Sequence, residues 1–127
     1  MKIEVSNGEL VDKATILSIK LNKFESREKR QNVQKEFQLL YQSMLAIGIS
    51  EETSEYKDLL KVNLALWEIE DQIRSKEARQ EFDNEFIRLA RRVYFENDKR
   101  AKIKRQINIT THSSLIEEKE YVEYGEK

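Results

Sequence analysis

No cysteine occurs in this sequence, which removes disulfides, zinc–thiolate sites and thiol nucleophiles together and fits a reducing compartment. Proline is absent too and glycine occurs only three times, so nothing breaks long helical runs from within. A formal net charge of −1 argues against a dedicated nucleic-acid binder, which carries a broad positive excess. No apolar stretch approaches the roughly 20 residues needed to span a bilayer, and MKIEVSNGEL has no apolar run of signal-peptide length. A soluble, cytoplasmic protein without membrane partners is expected. The single histidine, His112, falls in a polar loop with no triad around it, and no HExxH, Walker or paired-glycine motif occurs. A carboxylate metal site in a bundle needs Glu-x-x-His on facing helices, and that is missing. No catalytic residue, cofactor or metal is expected, so a non-enzymatic role leads and catalysis stays open.

What is present is charge and helical periodicity. Hydrophobic residues make up 39% and charged residues 37% of 127 residues, the mixture of long exposed helices laced with opposite signs in one domain. Ile3 and Val5 alternate with polar neighbours, as in a short extended lead-in. Ser6-Asn7-Gly8-Glu9 reads as a capping box, and Leu10, Ala14, Leu17, Leu21 and Phe24 follow on one helical stripe. Ser26 caps a second helix with Val33, Phe37, Leu40, Met44 and Ile47 in step, and Gly48 stands where a left-handed C-terminal residue is wanted. Ser50 or Ser54 starts a third, striped by Leu59, Val62, Leu66, Ile69 and Ile73. SKEARQ, weak in apolar residues, holds the next bend, unless one helix continues through it, since Gly and Pro are missing there. A fourth runs from Phe82 through Phe86, Leu89 and Val93 to about Ile107, unless Asn97-Asp98 caps a new segment. Ser114-Leu115-Ile116-Glu117 offers a second capping box and a short acidic helix, EEKEYVEY. The expected architecture is an all-α antiparallel bundle of four main helices plus a short C-terminal helix over residues 1–127. Val11, Ile16, Ile19, Leu39, Tyr41 and Leu45 exceed what two thin helices hide, which points to a homodimer through the first pair.

The fourth helix carries polar groups where its period calls for core. Asn97, Arg100 and Lys104 lie at i, i+3 and i+7 on one face, either a solvated extension or the floor of a pocket suited to phosphate or carboxylate. Asn63, Trp67, Glu70 and Arg74 form a similar stripe on the third helix, where polar groups at a core boundary need partners. Arg100 and Lys104 are the partners available. The basic run from Arg88 to Arg105 attracts anions, and the acidic tail with Glu117, Glu118, Glu120, Glu123 and Glu126 is expected to fold back on it in preference to nucleic acid. At the first helix, Asn7-Gly8 would permit close approach of an anion to helix amides, but capping by Glu9 is the favoured use.

IEVSNGELVDKATILSIKL, VNLALWEIEDQIR, RVYFENDKRAKIKRQIN and SSLIEEKEYVEY, four blocks in this order, together resemble a family of small, uncharacterised bacterial and viral helical proteins. The resemblance implies a self-contained domain with no assigned activity, and an association with surface-glycan assembly. The leading expectation is a small-molecule binding protein for an anionic, nucleotide or sugar-nucleotide-like ligand. Arg100, Lys104 and Arg92 would supply charge, Asn97, Asn63 and Glu70 orientation, and Trp67 or Tyr94 ring contact. The alternative is a scaffold protein that docks a larger partner such as a glycan-assembly enzyme.

Overall fold

The structure, a computed structural model, describes residues 1–124. It consists of α1 (Asn7–Lys23), α2 (Arg27–Ala46), α3 (Ser54–Ala78) and α4 (Asn84–Thr110), with no strand among the described residues. The chain is therefore all-α, as its periodicity predicts. Ser6 caps α1 by accepting from the Glu9 amide at 3.1 Å, and Ser26 caps α2 by accepting from the Lys29 amide at 3.3 Å. Gly48, at φ 84°, supplies the left-handed residue that lets α2 end. Thr53 rather than either serine occupies the N-cap of α3.

α1 is the hub. It packs against each of the other three helices, α3 and α4 pair closely with each other, and the α2 backbone comes close to α1 alone. A helix enclosed in this way buries more than one stripe, so Val11 and Ile19, expected on an outer dimer face, lie inside the monomer at 0% and 3% exposure. Of that set, Leu39 and Leu45 on α2 remain exposed. The principal apolar cluster joins Val11 and Ala14 of α1, Met44 of α2, Tyr56 and Leu59 of α3 and Ile107 of α4. Each large aliphatic side chain so buried is worth roughly 1.5–3 kcal/mol, so this junction, where all four helices meet, holds the bundle more firmly than the helix tips.

α1 and α4 cross with their backbones in near contact at Gly8. A Cβ built there would stand 2.4 Å from the carbonyl oxygen of Lys104, so no larger residue fits without moving α4. The α1 amides exposed by the helix start are consumed at the same place. The Gly8 amide donates to Asn108 Oδ1 at 2.6 Å and the Asn7 amide to Ser113 Oγ at 3.0 Å. This N-terminus is thus capped by α4 and its exit turn, leaving no anion site.

The α3–α4 bend falls at Arg79–Asp83, so only the last two residues of SKEARQ belong to it and Ser75 to Ala78 still continue α3. Gln80 takes φ 55°, Lys76 bonds both Asp83 carboxylate oxygens at 3.0 and 3.1 Å, and Asp83 caps α4 through the Phe86 amide at 2.9 Å. α4 then continues unbroken through Asn97-Asp98 to Thr110. Two expectations at the ends do not materialise. Residues before Ser6 pair with no strand, and residues 115–124 form no helix despite their capping signal. The acidic segment instead returns along α4, placing Glu117 3.4 Å from Lys104 and Glu118 2.9 Å from Arg105. Glu126 lies outside the described residues.

Candidate functional site

Two polar stripes face one another across the α1–α4 contact. On α1 the stripe is Gly8, Asp12 and Thr15; on α4 it is Asn97, Arg100, Lys104 and Asn108. Spacings of three and four keep each stripe on one face of its helix. Asp12 is the centre, 1% exposed. Arg100 grips it bidentately, Nε to Oδ1 at 2.9 Å and Nη2 to Oδ2 at 2.5 Å. From α3, Asn63 donates one amide hydrogen bond to Asp12 Oδ1 and another to the Thr15 hydroxyl, each at 2.8 Å. Lys104 reaches Glu9 at 2.7 Å, Glu117 at 3.4 Å and Asp12 at 3.9 Å. Three helices are therefore tied through one buried carboxylate, with the returning tail joined through Lys104, a costly arrangement unless every charge is met, as here it is.

The electrostatics follow from this geometry. Hydrogen bonds from Arg100 to Asp12 outweigh the cost of burial and, with the Asp12 charge, raise the guanidinium above its ordinary value. Burial acts to lower the Lys104 ammonium, yet the hydrogen bond to Glu9 and the charges of Asp12, Glu9 and Glu117 reverse that, and its net shift is upward. Both cations stay charged at any physiological pH.

Beside this network lies a groove of about 500 Å³ between α1, α3 and α4. Asn63, Trp67, Glu70, Asn97 and Arg100 all line it, with Asp71 and Arg74 at the edge and Ile16, Ile19 and Leu66 as its apolar part. Five of the eight residues singled out from the sequence thus share one concavity. Trp67, half-buried, packs against Phe24 with ring centroids 6.3 Å apart and lines the groove. Glu70 faces Arg74 at 3.6 Å, one turn away on α3, and not the α4 cations. Arg100 spends two of its five N–H donors on Asp12, and its Nη1 is turned toward Asn97 Oδ1 at 3.5 Å, a distance too long to satisfy it.

The other three residues stand elsewhere. Lys104 is buried behind the groove among its carboxylates. Arg92 lines a separate groove on another side of the α3–α4 pair. Tyr94 packs with Phe95 and Tyr124 on the outside of α4, where the Tyr124 hydroxyl donates to the Asp98 carboxylate and, at 3.1 Å, to the Tyr94 carbonyl. Desolvation and then the Asp98 contact push that phenol up to about 12. The sequence reading missed Asp12, Thr15 and Asn108, and gave Glu9 only a capping role. The signal for Asp12 and Thr15 was the Gly8–Asp12–Thr15 spacing, a polar stripe on a helix whose neighbouring stripe is apolar; for Asn108 it was its place four residues after Lys104 on the α4 polar stripe.

Among the described residues no group of three His, Cys, Asp or Glu side chains is placed to hold a metal ion. Among the described residues no helix is long and apolar enough to cross a membrane. No curated protein and no solved structure matches the chain. The model of a family of unknown function, DUF6165, does match it across residues 1–124, nearly its whole length, and the chain belongs to that family.

Proposed function

We propose that this protein is a non-enzymatic binder of a small hydroxyl-rich ligand, a sugar or the sugar part of a sugar-nucleotide, held in the groove between α1, α3 and α4. The observation that carries this reading is the composition of that groove. A half-buried indole adjoins side-chain amides, two carboxylates and two guanidinium groups, with Arg100 Nη1 and Asn97 not fully satisfied by each other. Hydroxyls both donate and accept, so they match a lining of mixed sign better than a simple anion does, and an apolar sugar face suits an aromatic ring. Arg100 and Lys104 argue less for a bare anion than their sequence positions imply, since Asp12, Glu9 and Glu117 already neutralise them. The anchored network has a second role in this reading. It fixes Asn63 and Arg100 against rotation, so little side-chain entropy is lost when a ligand arrives.

Trp67 is the sole tryptophan, so its emission reports on this groove alone. Titration with a hexose, a uridine diphosphate hexose and inorganic phosphate is expected to give a saturable change with the two sugar compounds and none with phosphate. Asn97→Ala and Glu70→Ala should weaken that response while leaving helical circular dichroism intact. A flat response to both sugar compounds removes the proposal.

A further inference from the structure

A second groove, of about 570 Å³, opens between α3 and α4 and shares no lining residue with the first. Its rim carries Lys61 from α3 and Arg92, Lys99 and Lys102 from α4, four cations against the two carboxylates Asp58 and Glu96. One of those carboxylates is occupied, because Glu96 lies 3.3 Å from Lys99. Among the described residues Lys61, Arg92 and Lys102 form no ion pair, in a chain whose net charge is −1 and whose other α4 cations mostly do. Beneath them the floor is aliphatic, made of Val62, Ala65 and Ile103. A concentration of unmatched positive charge over an apolar floor is costly to maintain by self-repulsion and is typical of a surface that meets a complementary partner.

The chain itself shows what such a surface accepts. On the adjoining side of α4 its own unwound acidic segment lies across Lys104 and Arg105, with Glu117 and Glu118 as the paired groups. Lys102 lines both that recess and the second groove, so the two cationic tracts are continuous. We propose that the Lys61–Arg92–Lys102 groove is a docking site for an extended acidic segment of a partner protein, its carboxylates on the rim cations and its aliphatic side chains on Val62, Ala65 and Ile103. Single-stranded nucleic acid fits less well because the groove offers no aromatic ring for base stacking. A flat lipid surface cannot reach a recessed floor. Docking here is independent of ligand binding beside Trp67.

Fluorescence anisotropy with a fluorescein-labelled peptide of alternating glutamate and leucine tests this on the full chain. The acidic peptide is expected to bind, more tightly at low than at high salt, whereas the alternating lysine–leucine peptide does not. The variant Lys61→Glu/Arg92→Glu/Lys102→Glu should weaken the acidic peptide by roughly tenfold or more and gain affinity for the basic one. Lys61 and Lys102 are exposed and Arg92 is half-buried, and circular dichroism verifies that the variant folds. Arg105→Glu, on the side already covered by the tail, should leave acidic-peptide binding nearly unchanged. The proposal is overturned if the acidic peptide fails to bind at low salt, if the triple variant binds it equally well, if Arg105→Glu abolishes binding, or if single-stranded RNA outcompetes it.

Discussion

At the scale of single residues, Asp12 decides the arrangement of the polar interior. It receives bonds from Arg100 on α4 and Asn63 on α3 and lies 3.9 Å from Lys104, all while 1% exposed. Removing it strands a guanidinium and leaves an amide without its acceptor, which in comparable buried pairs costs about 3–5 kcal/mol. The lower end applies here, because the Arg100 side chain is 29% exposed and water can reach part of it. Asp12→Ala is therefore expected to lose about 3 kcal/mol in urea unfolding, and adding Arg100→Met should restore a good part of that loss, since the stranded charge is then gone too. A double variant no better than the single one would mean that the pair acts through something other than charge compensation. Arg100, Asn97 and Asn63 were legible in the sequence because each sits at a core position of its own helix, where a polar residue is conspicuous. Asp12 was not, because it follows a capping box, and acidic residues near a helix start have an ordinary local explanation. Only the approach of α4 at Gly8, a contact 100 residues apart in sequence, makes it a buried anion.

Elements differ in how much of their structure is local. The starts of α1 and α2 and the glycine end of α2 were readable because cap and turn chemistry involves residues within a few positions. The tail was read half correctly: its charge pattern announced the return onto the basic run, but its capping signal gave no helix, because the pairs of Glu117 with Lys104 and Glu118 with Arg105 are non-local and hold the segment unwound. The α3–α4 turn combines both kinds of interaction and gives a pH-dependent prediction. Asp83 is held below the usual carboxylate range, first by the Phe86 amide and then by Lys76. A depressed carboxylate contributes stability that is complete above its ordinary value of 3.8 and is lost as pH falls through the lower folded value. Lys76 is raised and stays charged throughout that range. The α4 start is thus expected to fray below about pH 4, seen as faster exchange of the Phe86 amide by NMR. Asp83→Asn, which keeps a cap but cannot titrate, should abolish this dependence. Equal acid sensitivity in both proteins would assign the fraying elsewhere.

For the whole molecule, the hub position of α1 sets an order of stability. Its periodicity announced an amphipathic helix with one buried stripe, but which helix becomes central depends on three simultaneous packings that no local window contains. The consequence falls on α2. It buries only Val33 and Met44 fully, and of these Met44 belongs to the four-helix junction near its C-terminus. Its first half, by contrast, rests on α1 through Val33 and the exposed Lys13–Glu36 pair at 3.1 Å, a contact of the kind worth at most about 1 kcal/mol. Opening that half exposes little apolar surface, so its free energy should lie well below that of global unfolding. α1, the part of α3 around Leu59 and the part of α4 around Ile107 all enter the junction and cannot open without exposing it. Native-state hydrogen exchange is expected to show backbone amides between Gln31 and Phe37 opening first, with protection rising toward Met44. Amides near Val11, Leu59 and Ile107 should exchange only through global unfolding. Replacing Met44 with Ala should lower protection along the second half of α2, because it removes the fully buried anchor of this helix in the junction and leaves only the half-buried Phe37, Tyr41 and Ile47 against it. Uniform protection along α2 in the unaltered protein would show that another surface, such as a second copy on Leu39 and Leu45, covers the helix in solution.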